Sequence, residues 1–256
     1  GPTMAAGSPA PPGYDALLTL YGEFRRLAVP EVVNGVPDYS PAAMAAQHAA
    51  LGELQERLHA LDEASWPIPW RVDYMLVLAE MRGLEFQHRV LRPWARDPAF
   101  YSTTNLGFGP KMHGAMGIPE LPLAAPEVAD LGRKLAAVPA ILASARETLT
   151  DPRGDLARLA IEQQRIAHNV YDRLAAGLDE HHPEIAPAAR RARDATADFR
   201  NWLLSIEAEL PPHGGVGREH YDWYLRHVLL FPYTAEEARI IGEREYERAM
   251  VFLKME

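Results

Sequence analysis

Apolar residues recur every three to four positions along most of this chain, the period of helices that bury one face. Residues 13–28 carry Leu17, Leu20, Tyr21 and Phe24 on one side. Residues 30–39 break the period with Asn34-Gly35 and Val36-Pro37, which are turn signals. Ser40 then stands before Pro41, a cap followed by the residue best suited to a first helical position. Met44, His48, Leu51, Leu54, Leu58 and Leu61 form the stripe of that helix, and Trp66-Pro67-Ile68-Pro69 ends it. The next helix is predicted over residues 70–91, with Val72, Met75, Leu76, Ala79, Phe86 and Val90 inward.

Residues 100–126 read differently. Gly107, Gly109, Gly114 and Gly117 occur there with Pro110, Pro119 and Pro122, and so long a connection inside a domain is often functional. Helical period resumes over residues 125–148, 155–178 and 183–210. His213 to Gly217 predicts a flexible turn, and residues 218–231 and 234–256 give the last helices. No alternating stretch is long enough to predict a sheet. The pattern predicts an all-α fold, an elongated bundle of long antiparallel helices with short Pro/Gly connections.

The final helix has a beginning and no end. Thr234 with Glu237 three residues on makes a capping box. No Gly, Asn or Pro closes it, and Glu256 is an acid where the helix dipole favours a base. Met250, Val251, Phe252, Leu253 and Met255 need cover. The expectation is an N-terminal part of a larger protein. Residues 1–12, rich in Pro, Gly and Ala, are expected to be a poorly ordered tail, with Gly1-Pro2 a cleavage remnant ahead of Met4. Residues 13–256 form the helical region, with a subdivision near residues 100–126 left open.

Composition narrows the function classes. A net charge of −9 and no Lys/Arg run argue against nucleic acid. The absence of Cys removes disulfides, thiolate metal sites and a Cys nucleophile. No stretch is apolar enough to span a membrane, and no signal peptide is recognisable, so the default location is cytoplasmic, with a signal already removed left open.

Two Glu-x-x-His pairs, Glu56/His59 and Glu85/His88, have the spacing of di-iron bundle ligands. Their geometry counts against that use. Glu56 falls about 140° and His59 about 80° from the apolar stripe, and Glu85 and His88 lie nearly opposite theirs, so solvated faces are expected. His181-His182-Pro183-Glu184 suits a helix end, and His220 with His227 suits packing beside Tyr224. No His-Glu-x-x-His, nucleophile elbow or phosphate loop is present.

Four segments in order carry a resemblance. They are Trp94-Ala95-Arg96-Asp97-Pro98-Ala99-Phe100-Tyr101, Leu131-Gly132-Arg133-Lys134 through Pro139, Asp198-Phe199-Arg200-Asn201-Trp202-Leu203, and Gly217-Arg218-Glu219-His220-Tyr221-Asp222-Trp223-Tyr224-Leu225. Together they resemble the N-terminal half of a bacterial family known as domain of unknown function eight-eight-five. The resemblance implies the N-terminal lobe of a helical, thermolysin-like zinc metallopeptidase. The resemblance further implies that a C-terminal His-Glu-Ala-x-Pro-Gly-His motif holds zinc, with its Glu activating water. This chain lacks that motif, so no catalytic residue and no metal ligand is assigned, and no bound zinc is expected without the rest of the protein. The expected partners are that C-terminal half and a peptide or amide substrate. Residues 100–123 become the candidate cleft loop. Arg92, Arg96, Tyr101, Lys111 and His113 are the candidate substrate-binding residues, with Trp94, Asp97 and Tyr101 also able to lock a helix-to-loop corner. The rival readings are a non-catalytic helical scaffold and a di-iron bundle.

Overall fold

Gly13 takes φ +90°, open to glycine, and the chain turns there into its first helix. The computed structural model describes residues 9–103, 112–113 and 118–255. In chain order its elements are α1 (Tyr14–Ala28), β1 (Val32–Val33), β2 (Val36–Pro37), α2 (Pro41–His59), α3 (Ile68–Phe86), α4 (Pro93–Arg96), β3 (Met112–His113), β4 (Ile118–Pro119), α5 (Ala125–Thr148), α6 (Gly154–His181), α7 (Ala186–Ile206), α8 (Arg218–His227) and α9 (Ala235–Met255). The all-α expectation holds: the described residues are mostly helical, and their strands are two pairs of two-residue strands. They fall into two compact units.

The first unit takes residues 1–29, 44–91 and 214–256. Its core joins Tyr14, Leu17, Leu20 and Phe24 of α1 to Leu51, Leu54 and Leu58 of α2 and to Trp70, Tyr74, Val77, Leu78 and Met81 of α3. Tyr14 donates to the buried Asp73 carboxylate at 2.7 Å, and burial followed by that bond pushes its hydroxyl pKa up to about 12. Trp66 donates from its indole to the Pro12 carbonyl at 3.0 Å, so the end of the predicted tail is tied to the core. α8 reaches α3, where a Cβ on Gly83 would stand 3.3 Å from Val228 and Phe86 stacks on Trp223 at 6.0 Å.

Four expectations for this unit are corrected. The helix predicted over residues 70–91 begins at Ile68, where Pro69 fits the first turn, and changes after Phe86 to a π turn, Gln87–Leu91. Val72, Met75 and Leu76, predicted inward, are 50%, 41% and 38% exposed. His88, predicted on a solvated face, is half-buried: it lies 2.6 Å from Gln47 Oε1 and 5.0 Å from the His48 ring. Burial, then the neighbouring His48, push its pKa down to about 4. On α2 the inward place expected for His48 belongs to Gln47, whose amide donates to Leu27 O.

The second unit takes residues 30–43 and 92–213. β1 pairs antiparallel with β2, Val32 opposite Pro37 and Val33 opposite Val36. The turn between them is Asn34 at φ 52° and Gly35 at φ 79°, the doubly left-handed pair that closes a two-residue hairpin. A Cβ on Gly35 would stand 2.9 Å from Ala137 of α5, so the turn is pressed against the helix. Gly35→Ala is therefore expected to cost at least about 1–2 kcal/mol, the penalty of a left-handed residue alone. Chemical denaturation measures it, and an unchanged midpoint would rule the close approach out.

Ser40 accepts from Ala43 N at 3.2 Å and caps α2 as its sequence requires. Three long helices make the body of the unit, α6 packing most extensively on α7 and α5 on α7. Leu131, Leu135 and Leu142 of α5, Tyr171, Leu174 and Leu178 of α6, and Phe199 and Leu203 of α7 are buried. Small residues separate them: Ala157, Ala160, Ala186, Ala189 and Ala192 are fully enclosed. The helix predicted over residues 183–210 is shorter, α7 giving way to a 3-10 turn at Glu207–Glu209.

Candidate functional site

Arg92 opens the site with a backbone that few side chains adopt, φ 42° and ψ 57°. Its carbonyl accepts from Ala95 N and Arg96 N, which starts the single-turn helix α4. The loop after α5 then lies along that turn: Asp151 N donates to Ala95 O at 2.9 Å, and Arg153 N to Arg96 O at 3.2 Å. Two backbone bonds so place the Asp151 carboxylate beside the α4 arginines.

Three guanidinium groups converge on that carboxylate. Arg153 donates to it at 2.8 Å and Arg96 at 3.2 Å, while Arg92 stands 3.6 Å away. The side chains of Arg96 and Arg153 are 20% and 23% exposed and that of Arg92 is 43% exposed, so Arg92 faces solvent most. Arg153 also donates to Pro212 O at 3.3 Å, while its buried Nε has no hydrogen-bond partner among the described residues. The Arg153 hydrogen bond is the main reason that the Asp151 pKa is held below the usual carboxylate range. Burial opposes it, and the Arg153 and Arg96 charges add to it.

Three guanidiniums share the Asp151 carboxylate. Each guanidinium is a planar fork matched to carboxylate oxygens. Arg92, the most exposed of the three, is the one whose fork is open to a carboxylate from solution.

The segment after α4 is a 3-10 turn, Pro98–Tyr101, capped by Asp97, which accepts from Ala99 N at 2.9 Å. Burial pushes the Asp97 pKa up, against the Ala99 bond and a contribution from His213. Tyr101 is buried, with its hydroxyl 2.6 Å from Trp94 O and 2.5 Å from Thr148 Oγ1. Those bonds fix the corner between α4 and α5. Just beyond it, Ser102 and Thr103 line a cavity of about 650 Å³, with Asn34, Gly35, Lys134 and Ile141 as further walls. That volume is in the range of small-molecule sites. Tyr171 holds this wall in place, its hydroxyl 2.8 Å from both Thr103 oxygens.

The structure thus brings together Arg92 and Arg96 of the predicted site and puts Tyr101 in the adjoining corner. His113 is placed in β3 opposite Ile118, and Lys111 lies outside the described residues. Asp151 and Arg153 were not predicted. The Asp-Pro-Arg sequence is an ordinary turn signal, and Arg96, the nearer α4 partner of Asp151, is 55 residues away, where no periodicity points.

The other candidates are dispersed. Glu56 and His59 are exposed on α2, and His182 accepts from Leu123 N at 2.8 Å, tying the start of α5 to the end of α6. Among the described residues no group of three His, Asp or Glu side chains is placed to hold a metal ion. None of their helices is long and apolar enough to cross a membrane.

Residues 25–250 match the model of a family described as bacterial protein of unknown function, DUF885. No curated protein matches the chain. Among solved structures, it is similar to a Shewanella oneidensis chain described as a candidate lipoprotein of unknown function, at 18% identity and a TM-score of 0.59. That likeness covers 93% of this chain and 44% of the other, so this chain spans less than half of its length.

Proposed function

This chain belongs to the bacterial DUF885 family, and from that membership we propose that it is the N-terminal helical region of a longer, zinc-dependent hydrolase acting on a peptide or related amide bond. The sequence lacks the His-Glu-Ala-x-Pro-Gly-His motif, so in this reading the metal is held by residues beyond this chain. What this region supplies is substrate binding. Arg92 and Arg96 take a carboxylate of the substrate, and the cavity beside Ser102 and Thr103 takes apolar parts of it. The observation that carries this reading is the cluster of three guanidiniums around the Asp151 carboxylate, with Arg92 the most exposed.

Binding of N-acetyl-Ala-Ala with a free carboxylate, against the same dipeptide as its C-terminal amide, tests the reading by NMR titration of the chain. The acid is expected to bind and the amide to bind at least about fivefold more weakly, a modest ratio because the arginines are partly solvated. The double substitution Arg92→Gln and Arg96→Gln is expected to erase the difference. Equal binding of acid and amide by the unsubstituted chain would refute the carboxylate site.

A further inference from the structure

Helix α3 is apolar on two opposite faces. At about 100° per residue, Trp70, Tyr74, Val77 and Met81 share one side and Ile68, Val72, Met75 and Leu76 the other. The first set is at most 4% exposed, whereas the second is 73%, 50%, 41% and 38% exposed. Charge does not interrupt the outer face much. Between Ile68 and Ala79 the only charged residues are Arg71 and Asp73, and Asp73 is turned inward to Tyr14. A surface helix keeps its outer face polar, and one that is apolar all round belongs inside a larger protein.

The Shewanella chain indicates how much larger. This chain aligns over nearly all of its own length yet accounts for only 44% of that protein. We propose that the Ile68/Val72/Met75/Leu76 face of α3 is the surface on which the remaining polypeptide of the complete protein packs. The proposal rests on the reading of this chain as one region of a longer protein. It goes further by naming the surface and its apolar occupant.

The chain contains no cysteine, so one introduced thiol reports on this face alone within these residues. Met75→Cys would be made both in this chain and in the product of its complete reading frame. Alkylation at position 75 would be followed by mass spectrometry, each rate referred to the protein unfolded in guanidinium. In this chain the thiol is expected to react almost as fast as when unfolded. In the longer product the reaction is expected to slow by at least about tenfold. A fast thiol in both proteins would overturn the surface while leaving the proposed function standing. Slowing in this chain alone that grows with concentration would give the face to a second copy and overturn the assignment. A reading frame without further polypeptide would end this inference and the proposed function together.

Discussion

Trp70→Ala is expected to remove about 3–5 kcal/mol of stability, the range for truncating a large buried aromatic. Trp70 is 1% exposed and meets the Tyr14 ring edge-on at 4.6 Å and 73°. The loss therefore exceeds the cavity itself. Tyr14 leans on that ring while its hydroxyl holds Asp73, so a shift of Tyr14 loosens a hydrogen bond to a buried carboxylate. Urea unfolding followed by far-UV circular dichroism gives the number. A loss below about 1 kcal/mol would mean that the α1–α3 core is packed differently.

Asp151→Asn is expected to cost about 1–2 kcal/mol at neutral pH. Breaking a buried ion pair costs about 3–5 kcal/mol, and the figure is reduced because Asp151 is 35% exposed. The pH dependence carries the diagnosis. Because the folded pKa is depressed, the Asp151 contribution is fully present above its unfolded pKa of about 4 and is lost as pH falls through the folded value. The difference between the two proteins should therefore be constant from neutral pH down to about 4 and shrink below it. His88 titrates in both proteins with its pKa at about 4, so comparing them cancels its share. A difference that stays constant at acid pH would show that Asp151 acts through its shape and not its charge. At neutral pH the same substitution should tighten binding of the dipeptide acid, since it removes the carboxylate charge that competes for Arg92.

What sequence alone could deliver divides by range. The caps at Ser40 and Thr234 are local: each hydroxyl accepts from the amide three residues on, at 3.2 Å and 3.1 Å. The helices follow from a periodicity read within a dozen residues. Periodicity failed on α3, because a helix with two apolar faces offers two answers and the choice between them depends on what packs nearby. It failed again at His88, where the π turn adds a residue and changes which side chain faces inward. The candidate site was legible in half. Arg92 and Arg96 lie together on one turn, but the loop that carries Asp151 and Arg153 reaches them only through the fold. The family resemblance named the right bacterial family from four dispersed motifs, which short-range physics alone would not have joined.

The enclosed alanines of α6 and α7 set limits on how relatives of this protein can diverge. Ala157, Ala160, Ala189 and Ala192 are fully enclosed, so a larger side chain there has to be accommodated by a neighbour that shrinks or by helices that separate. Drift at these sites should therefore be confined to glycine, or should come as matched exchanges in which one residue grows as another shortens. A collection of family sequences would then show its tightest size correlations here, away from the arginines, and would place α6 beside α7 without any coordinates.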